Sequence, residues 1–161
     1  MKVAVIADIH DNLANLEQCL KYSRKNNIER IICCGDVTND DTLKYLSENF
    51  EGKIMLVRGN MEIFEDKDPE KYDNIDYKGR IGCWDIGGKK VGVCHEPFLV
   101  EKVLEEHSCD IVFYGHTHKP WDDLEQNVRI VNPGTLGGVF SRPTYAVWDT
   151  ETDEMEMKFI N

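Results

Sequence analysis

Three short apolar runs, each ending in the same kind of polar residue, constrain this chain most. Lys2 to Ala7, Arg30 to Cys34 and Lys53 to Val57 are too short for helices and read as buried strands. Helical spacing lies between them. Leu13, Leu16 and Leu20 share one helical face behind a cap at Asp11 or Asn12, and Leu43 and Leu46 share a second. Such a βαβαβ rhythm predicts a parallel sheet with helices packed against it.

The second half is patterned differently. Ile81 to Ile86 and Lys89 to Cys94 flank Gly87-Gly88 as a hairpin. Pro97 to His107 is predicted helical, with Phe98, Val103 and Leu104 as core residues, and Asp110 to Tyr114 is a further strand. Trp121 to Leu124, Val128 to Val131, Tyr145 to Trp148 and Met155 to Ile160 complete the set as antiparallel strands. No linker or repeat divides these halves, so 161 residues are expected to form a single α/β domain spanning 1–161.

Charge and cysteine usage exclude several functions. The chain has 19 basic and 30 acidic residues, a net −11, which disfavours any general grip on a nucleic-acid backbone. Seven acids between Glu62 and Asp76, interrupted by Pro69, read as a solvated loop. No apolar run approaches the roughly 20 residues that span a bilayer, and the start of the chain does not resemble a signal peptide. None of the six cysteines forms a C-x-x-C pair. In the expected hairpin register Cys83 faces Gly92 and Cys94 faces Ile81, which leaves the two cysteines only diagonal neighbours. Diagonal Cβ atoms about 7–8 Å apart do not form a disulfide. Free thiols and a cytoplasmic protein are expected.

The residues that carry chemistry sit where strands end. Asp8 and His10 follow the first strand, Asp36 the second and Asn60 the third; His95 follows the hairpin, and His116 and His118 the next strand. Ligands of open α/β sheets bind beyond the carboxyl ends of the strands, so these seven side chains should converge. Gly35, Gly59 and Gly115 just ahead of them permit tight turns and close approach. Seven groups exceed the four ligands of one zinc ion and suit two divalent ions sharing a carboxylate. Mixed oxygen and imidazole ligands favour manganese, nickel, iron or zinc over calcium or magnesium. Two such ions activate a water and clamp the oxygens of phosphoryl transfer. His107 lies outside this pattern.

The ordered set Asp8-Ile9-His10, Gly35-Asp36, Gly59-Asn60-Met61-Glu62, His95, Gly115-His116-Thr117-His118 and Asn132-Pro133-Gly134-Thr135 resembles the calcineurin-like metallophosphoesterase superfamily. Its small single-domain bacterial and archaeal phosphodiesterases are the nearest match. The resemblance implies a four-layer αββα sandwich of two mixed sheets flanked by helices. It implies that Asp8, His10, Asp36 and His118 hold one ion, and that Asp36, Asn60, His95 and His116 hold the other, with Asp36 shared. It also implies phosphodiester hydrolysis by a metal-bridging hydroxide, with Asp36, Asn60, His95 and His116 in the catalytic centre. A small phosphorylated substrate is the expected partner, with a homodimer open. Many members carry His after the Asn; here the position is Met61, which donates no proton, and Glu62 loses the His it would orient. Arg58 and Arg142 are either phosphate clamps or partners in surface salt bridges. Asp-x-His, rather than Asp-x-Asp, after the first strand argues against a haloacid-dehalogenase-type phosphatase. A barrel amidohydrolase needs more residues than this. A scaffold of the same fold, like the one in retromer, would not need seven metal-competent side chains.

Overall fold

The computed structural model describes residues 1–161 as two mixed β-sheets stacked face to face with helices on both outer surfaces. The elements in chain order are β1 (Lys2–Ile6), α1 (Leu13–Lys25), β2 (Arg30–Cys33), α2 (Asp40–Glu48), β3 (Lys53–Leu56), β4 (Ile75–Tyr77), β5 (Ile81–Ile86) and β6 (Lys89–Cys94). They continue with α3 (Val100–Glu106), β7 (Ile111–Phe113), β8 (Trp121–Glu125), β9 (Val128–Asn132), β10 (Thr144–Asp149) and β11 (Met155–Phe159). The first sheet has the order β11-β10-β1-β2-β3-β4 and the second β5-β6-β7-β9-β8. β1 to β4 run parallel, as do β6, β7 and β9; β4 is itself an edge, and antiparallel pairings finish the other three edges.

The apolar runs of β1 to β3 are continuous because both faces of the first sheet are covered. Val3, Val5, Ile32 and Met55 point at the second sheet, where Val91, Val93, Ile111, Phe113 and Val131 meet them, with Trp148 against Phe113. The alternate residues Ala4, Ile6, Ile31, Ile54 and Leu56 point outward to Leu16 and Leu20 of α1 and Leu43 and Leu46 of α2. On the far side, Leu99 and Val103 cover Cys94, Val112 and Ile130 of the second sheet. This is the expected four-layer αββα order.

Local chemistry accounts for the starts of the helices. Of the two cap candidates it is Asn12 whose side chain accepts from Asn15 N, and Asn39 does the same for Thr42 N in α2. Each such cap stabilises its helix by about 1 kcal/mol.

Four expectations need correction. Leu13 opens α1 but is exposed, because the inner face of that helix begins at Leu16. The third helix is shorter than expected: a 3₁₀ turn over Pro97–Leu99 precedes α3, which turns Leu99 inward and leaves Phe98 and Leu104 exposed. The acidic stretch is not all loop, since Ile75–Tyr77 adds a fourth parallel strand at the sheet edge, with Ile75 and Tyr77 packed toward the helical core. β9 is not simply antiparallel either: it pairs antiparallel with β8 and parallel with β7. The hairpin register is as expected, with Cys83 opposite Gly92 and Cys94 opposite Ile81, and all six cysteines are free. No helix is long and apolar enough to cross a membrane.

Candidate metal centre

All seven strand-end residues converge on one edge of the sandwich. Asp8 is fully buried; its Oδ1 lies 3.1 Å from His118 Nε2 and 3.6 Å from His10 Nε2. The two imidazole Nε2 atoms are 3.3 Å apart. Asp36 Oδ2 lies 3.7 Å from His10 Nε2 and 3.3 Å from His95 Nε2. Asn60 Oδ1 completes the far side, 2.9 Å from His95 Nε2 and 3.0 Å from His116 Nδ1. Asp36 thus stands between the two groups of ligand atoms. Asp8 reaches toward both, since it clusters with His10 and His118 and also with Asp36 and His95.

Each side chain is held by atoms outside the cluster. His95 Nδ1 donates to Cys34 O at 2.8 Å and His118 Nδ1 donates to Val139 O at 2.7 Å. A carbonyl only accepts, so in both rings Nδ1 carries a proton and Nε2 is turned inward. Backbone partners of this kind orient metal-binding histidines. Asp36 Oδ1 accepts from Met61 N at 2.8 Å, which leaves Oδ2 for the centre. Asp8 Oδ2 accepts from His116 N at 2.9 Å. Asp8 Oδ1, by contrast, is buried without a hydrogen-bond partner although His118 Nε2 is close.

The backbone is strained at these positions. Asp8, His10, Asp36, His116 and His118, five of the seven, have φ between 46° and 68°. Left-handed non-glycine residues cost on the order of 1–3 kcal/mol each and persist where surrounding contacts over-determine them. The contacts are visible. Thr135 Oγ1 donates to Asp8 O at 3.0 Å, and Asn132 Nδ2 donates to Gly115 O at 2.8 Å, so the buried Asn132-Pro133-Gly134-Thr135 segment braces two of the strand-end loops. Gly59 lets the third loop approach, since a Cβ there would lie 2.1 Å from Asp36 Oδ1.

Electrostatics reflect crowded carboxylates and imidazoles. Burial pushes the Asp8 carboxyl up, but His10 and His118 outweigh it and hold it down to about 2. Asp36 is opposed by burial in the same way, yet His95 and Met61 N keep it below its ordinary value. Burial lowers His95, and Asp36 and Asp8 more than reverse this, raising it to about 9. The His118 imidazole is raised mainly by its contact with Asp8.

The donor set fits divalent ions. Its features are a buried carboxylate oxygen lacking a donor, imidazole nitrogens aimed at one another, and two carboxylates that are themselves buried. Nitrogens 3.3 Å apart match two ligands of one ion at bonds of roughly 2.0–2.1 Å.

Glu62 is not a carboxylate of the acidic loop. Its Oε1 accepts from Val37 N at 2.6 Å and its Oε2 from Asp36 N at 3.2 Å. Burial and the Asp36 charge raise its carboxyl to about 7. Neither arginine acts as a clamp at the centre. Arg58 binds Phe64 O and Asp66 and lies over the Phe64 ring; Arg142 binds Asn161 and lies over Phe159. His107 ends α3, outside the cluster. Sequence reasoning missed the carbonyls of Cys34 and Val139 and the rim residue Phe140, none of which belongs to a recognisable motif.

Comparison with known proteins agrees with the geometry. Residues 1–153 match the family described as calcineurin-like phosphoesterase superfamily domain. Phosphodiesterase MJ0936 of Methanocaldococcus jannaschii is 28% identical over 160 residues, 96% of either chain. The solved structure of an archaeal phosphodiesterase superposes with a TM-score of 0.90 at 26% identity, covering 99% of this chain and all of that one. A Vps29 variant from Entamoeba histolytica superposes at 0.73 with 18% identity over all of both chains, a likeness of fold alone.

Proposed function

As a member of the calcineurin-like phosphoesterase superfamily the chain is a phosphoric ester hydrolase, and we propose that it is a dinuclear metal-dependent phosphodiesterase acting on a small substrate. Asp8, His10, Asp36 and His118 would hold one divalent ion, and Asp36, Asn60, His95 and His116 the other, with Asp36 shared. Manganese, nickel, iron or zinc suits this set. The observation that carries the reading is the pair of Nδ1–carbonyl hydrogen bonds that turn His95 Nε2 onto Asp36 Oδ2, 3.3 Å away, and His118 Nε2 onto Asp8 Oδ1, 3.1 Å away.

When bound, the ions would lower the pKa of a water toward about 7 and neutralise the charge of the phosphoryl group. The protein's own contribution is position. Met61 N and Glu62 fix Asp36, the Cys34 and Val139 carbonyls fix two rings, and Asn60 spans His95 and His116. Burial of Asp8, Asp36 and His95 keeps bulk water from weakening these interactions. At Met61 no group protonates the departing oxygen, which favours esters with acidic leaving groups. One unit, residues 1–161, carries this activity, and the six free cysteines suit a cytoplasmic setting.

Retention of all seven ligand-competent side chains argues against a purely scaffolding role. The test is turnover of an aryl phosphodiester before and after chelation. Activity should vanish with chelator and return with added manganese or nickel. A metal-independent rate, or a trapped covalent phosphoenzyme, would overturn the reading.

A further inference from the structure

The cavity beside the cluster, about 410 Å³, has two unlike walls. One is formed by the proposed metal ligands. The other is Met61, Val139 and Phe140, and no Lys or Arg lines any part of it. Phe140 is 96% exposed, the most exposed large apolar side chain in the protein. Its ring lies beside the His118 imidazole, with centroids 6.1 Å apart and planes tilted by only 27°.

Phe140 is not a loose surface residue. Its φ is 61°, an outlier for a bulky side chain. The loop leading to it is fastened at four points: Gly137 N donates to Asp8 O at 2.8 Å, Asn12 Nδ2 to Gly137 O at 3.0 Å, Gly138 N to Thr135 Oγ1 at 3.2 Å, and His118 Nδ1 to Val139 O at 2.7 Å. A strained backbone therefore holds an aromatic ring in solvent, on the same loop that orients His118. Strain of this kind concentrates at ligand clamps. The exposed ring costs solubility, and its contact with the His118 imidazole leaves it 96% exposed.

We propose that Phe140 is a specificity-determining residue, stacking on a flat aromatic ring carried by the ester group of the substrate. The proposal rests on the phosphoesterase reading for the position of the phosphoryl group. The wall adjoins the proposed ligands His10, His116 and His118 in one cavity, so a ring carried on the ester oxygen, directly as in an aryl ester or through a ribose as in a nucleoside, would lie on the Met61–Val139–Phe140 side. With no Lys or Arg in the lining and its histidines taken up by the proposed metal centre, a second phosphate would find no partner on that wall, so the group beyond the phosphate is uncharged. Aryl esters and nucleosides share this chemistry, and base–aromatic stacking tolerates either.

Calorimetric titration of the manganese-loaded protein tests this. Phenyl phosphate and cyclohexyl phosphate have the same charge and similar size, so the ratio of their affinities isolates the ring. Adenosine 5′-monophosphate against ribose 5-phosphate asks the same of a nucleobase. A preference of about fivefold or more for the aromatic member of either pair is expected, and the pair that shows it identifies the source of the ring. Phe140→Leu should bring that ratio to about one, while Phe140→Tyr keeps it. Equal binding within both pairs, an unchanged ratio in Phe140→Leu, or no binding by any of the four would overturn the proposal. Ring preference without turnover of any p-nitrophenyl diester would leave the stacking role standing and remove the phosphodiesterase reading. Turnover without ring preference would do the reverse.

Discussion

Glu62 holds Asp36 by its backbone: the carboxylate accepts from Asp36 N at 3.2 Å and from Val37 N at 2.6 Å. Asp36 sits there with φ of 56°, a conformation it does not favour unaided. Glu62 therefore positions the carboxylate proposed to be shared by both ions, without touching the substrate. Glu62→Ala should lower metal affinity and metal-dependent turnover by about 10–100-fold, with Glu62→Gln in between because one acceptor oxygen remains. Metal titration at fixed pH checks this, and a loss of kcat that added metal restores would mark a positioning role. An unchanged affinity would mean that Gly35 and Gly59 alone hold the turn.

Protons compete with metal at this centre, and the sign follows from the shifts. Without metal, His95 is raised from 6.5 to about 9, and Glu62 from 4.5 to about 7. Across both windows the folded state binds more protons than the unfolded, so stability falls as pH rises from about 5 to about 9. Asp8, lowered from 3.8 to about 2, works in the other direction, and its contribution is lost only as pH falls through that range. Bound divalent ions would replace the His95 proton as the positive charge beside Asp36 and Asp8. The gain in Tm on adding saturating manganese should therefore widen from pH 5 to pH 9, measured against chelator-treated protein. A gain independent of pH would contradict the assignment of His95 to the centre.

Strand ends, glycines and the ordering of Asp, Asn and His made the site legible in the sequence, because chain topology alone carries side chains at the ends of β1, β2, β3, β6 and β7 to one edge. Conformation was not legible. Nothing in the letters Asp8 or His118 announces a left-handed backbone, and the restraints come from Thr135 and Val139, far along the chain. Glu62 read equally as one more acid of the acidic run or as a support for the metal ligands, and the sequence does not separate the two because its partners are backbone N–H groups that no motif records. Phe98 misled for a related reason. Its spacing suits a helical core, but the 3₁₀ turn rotates Leu99 into that place instead.

Met61 contributes its N–H to Asp36, and its half-exposed thioether lies at the cavity rim. With no proton donor there, the rate should depend steeply on leaving-group pKa, aryl diesters outrunning alkyl ones. General acid catalysis is typically worth 10²–10⁴-fold. Because Glu62 is occupied by the Asp36–Val37 backbone, it cannot also orient an imidazole at position 61, so Met61→His should flatten the dependence only in part. A leaving-group series on both proteins at saturating metal measures the slopes. Shallow, equal slopes would show that another group already protonates the leaving oxygen.

The most direct measurement is the number of divalent ions per chain in metal-saturated, washed protein, compared between wild type and Asp36→Asn. Asp36 Oδ2 lies 3.7 Å from His10 Nε2 and 3.3 Å from His95 Nε2, one carboxylate oxygen facing both halves of the centre. The wild type should hold two ions. Removal of the shared charge should weaken both sites together, with turnover lost in parallel. A single ion in the wild type, or two ions and full turnover in Asp36→Asn, would contradict a dinuclear centre built on that residue.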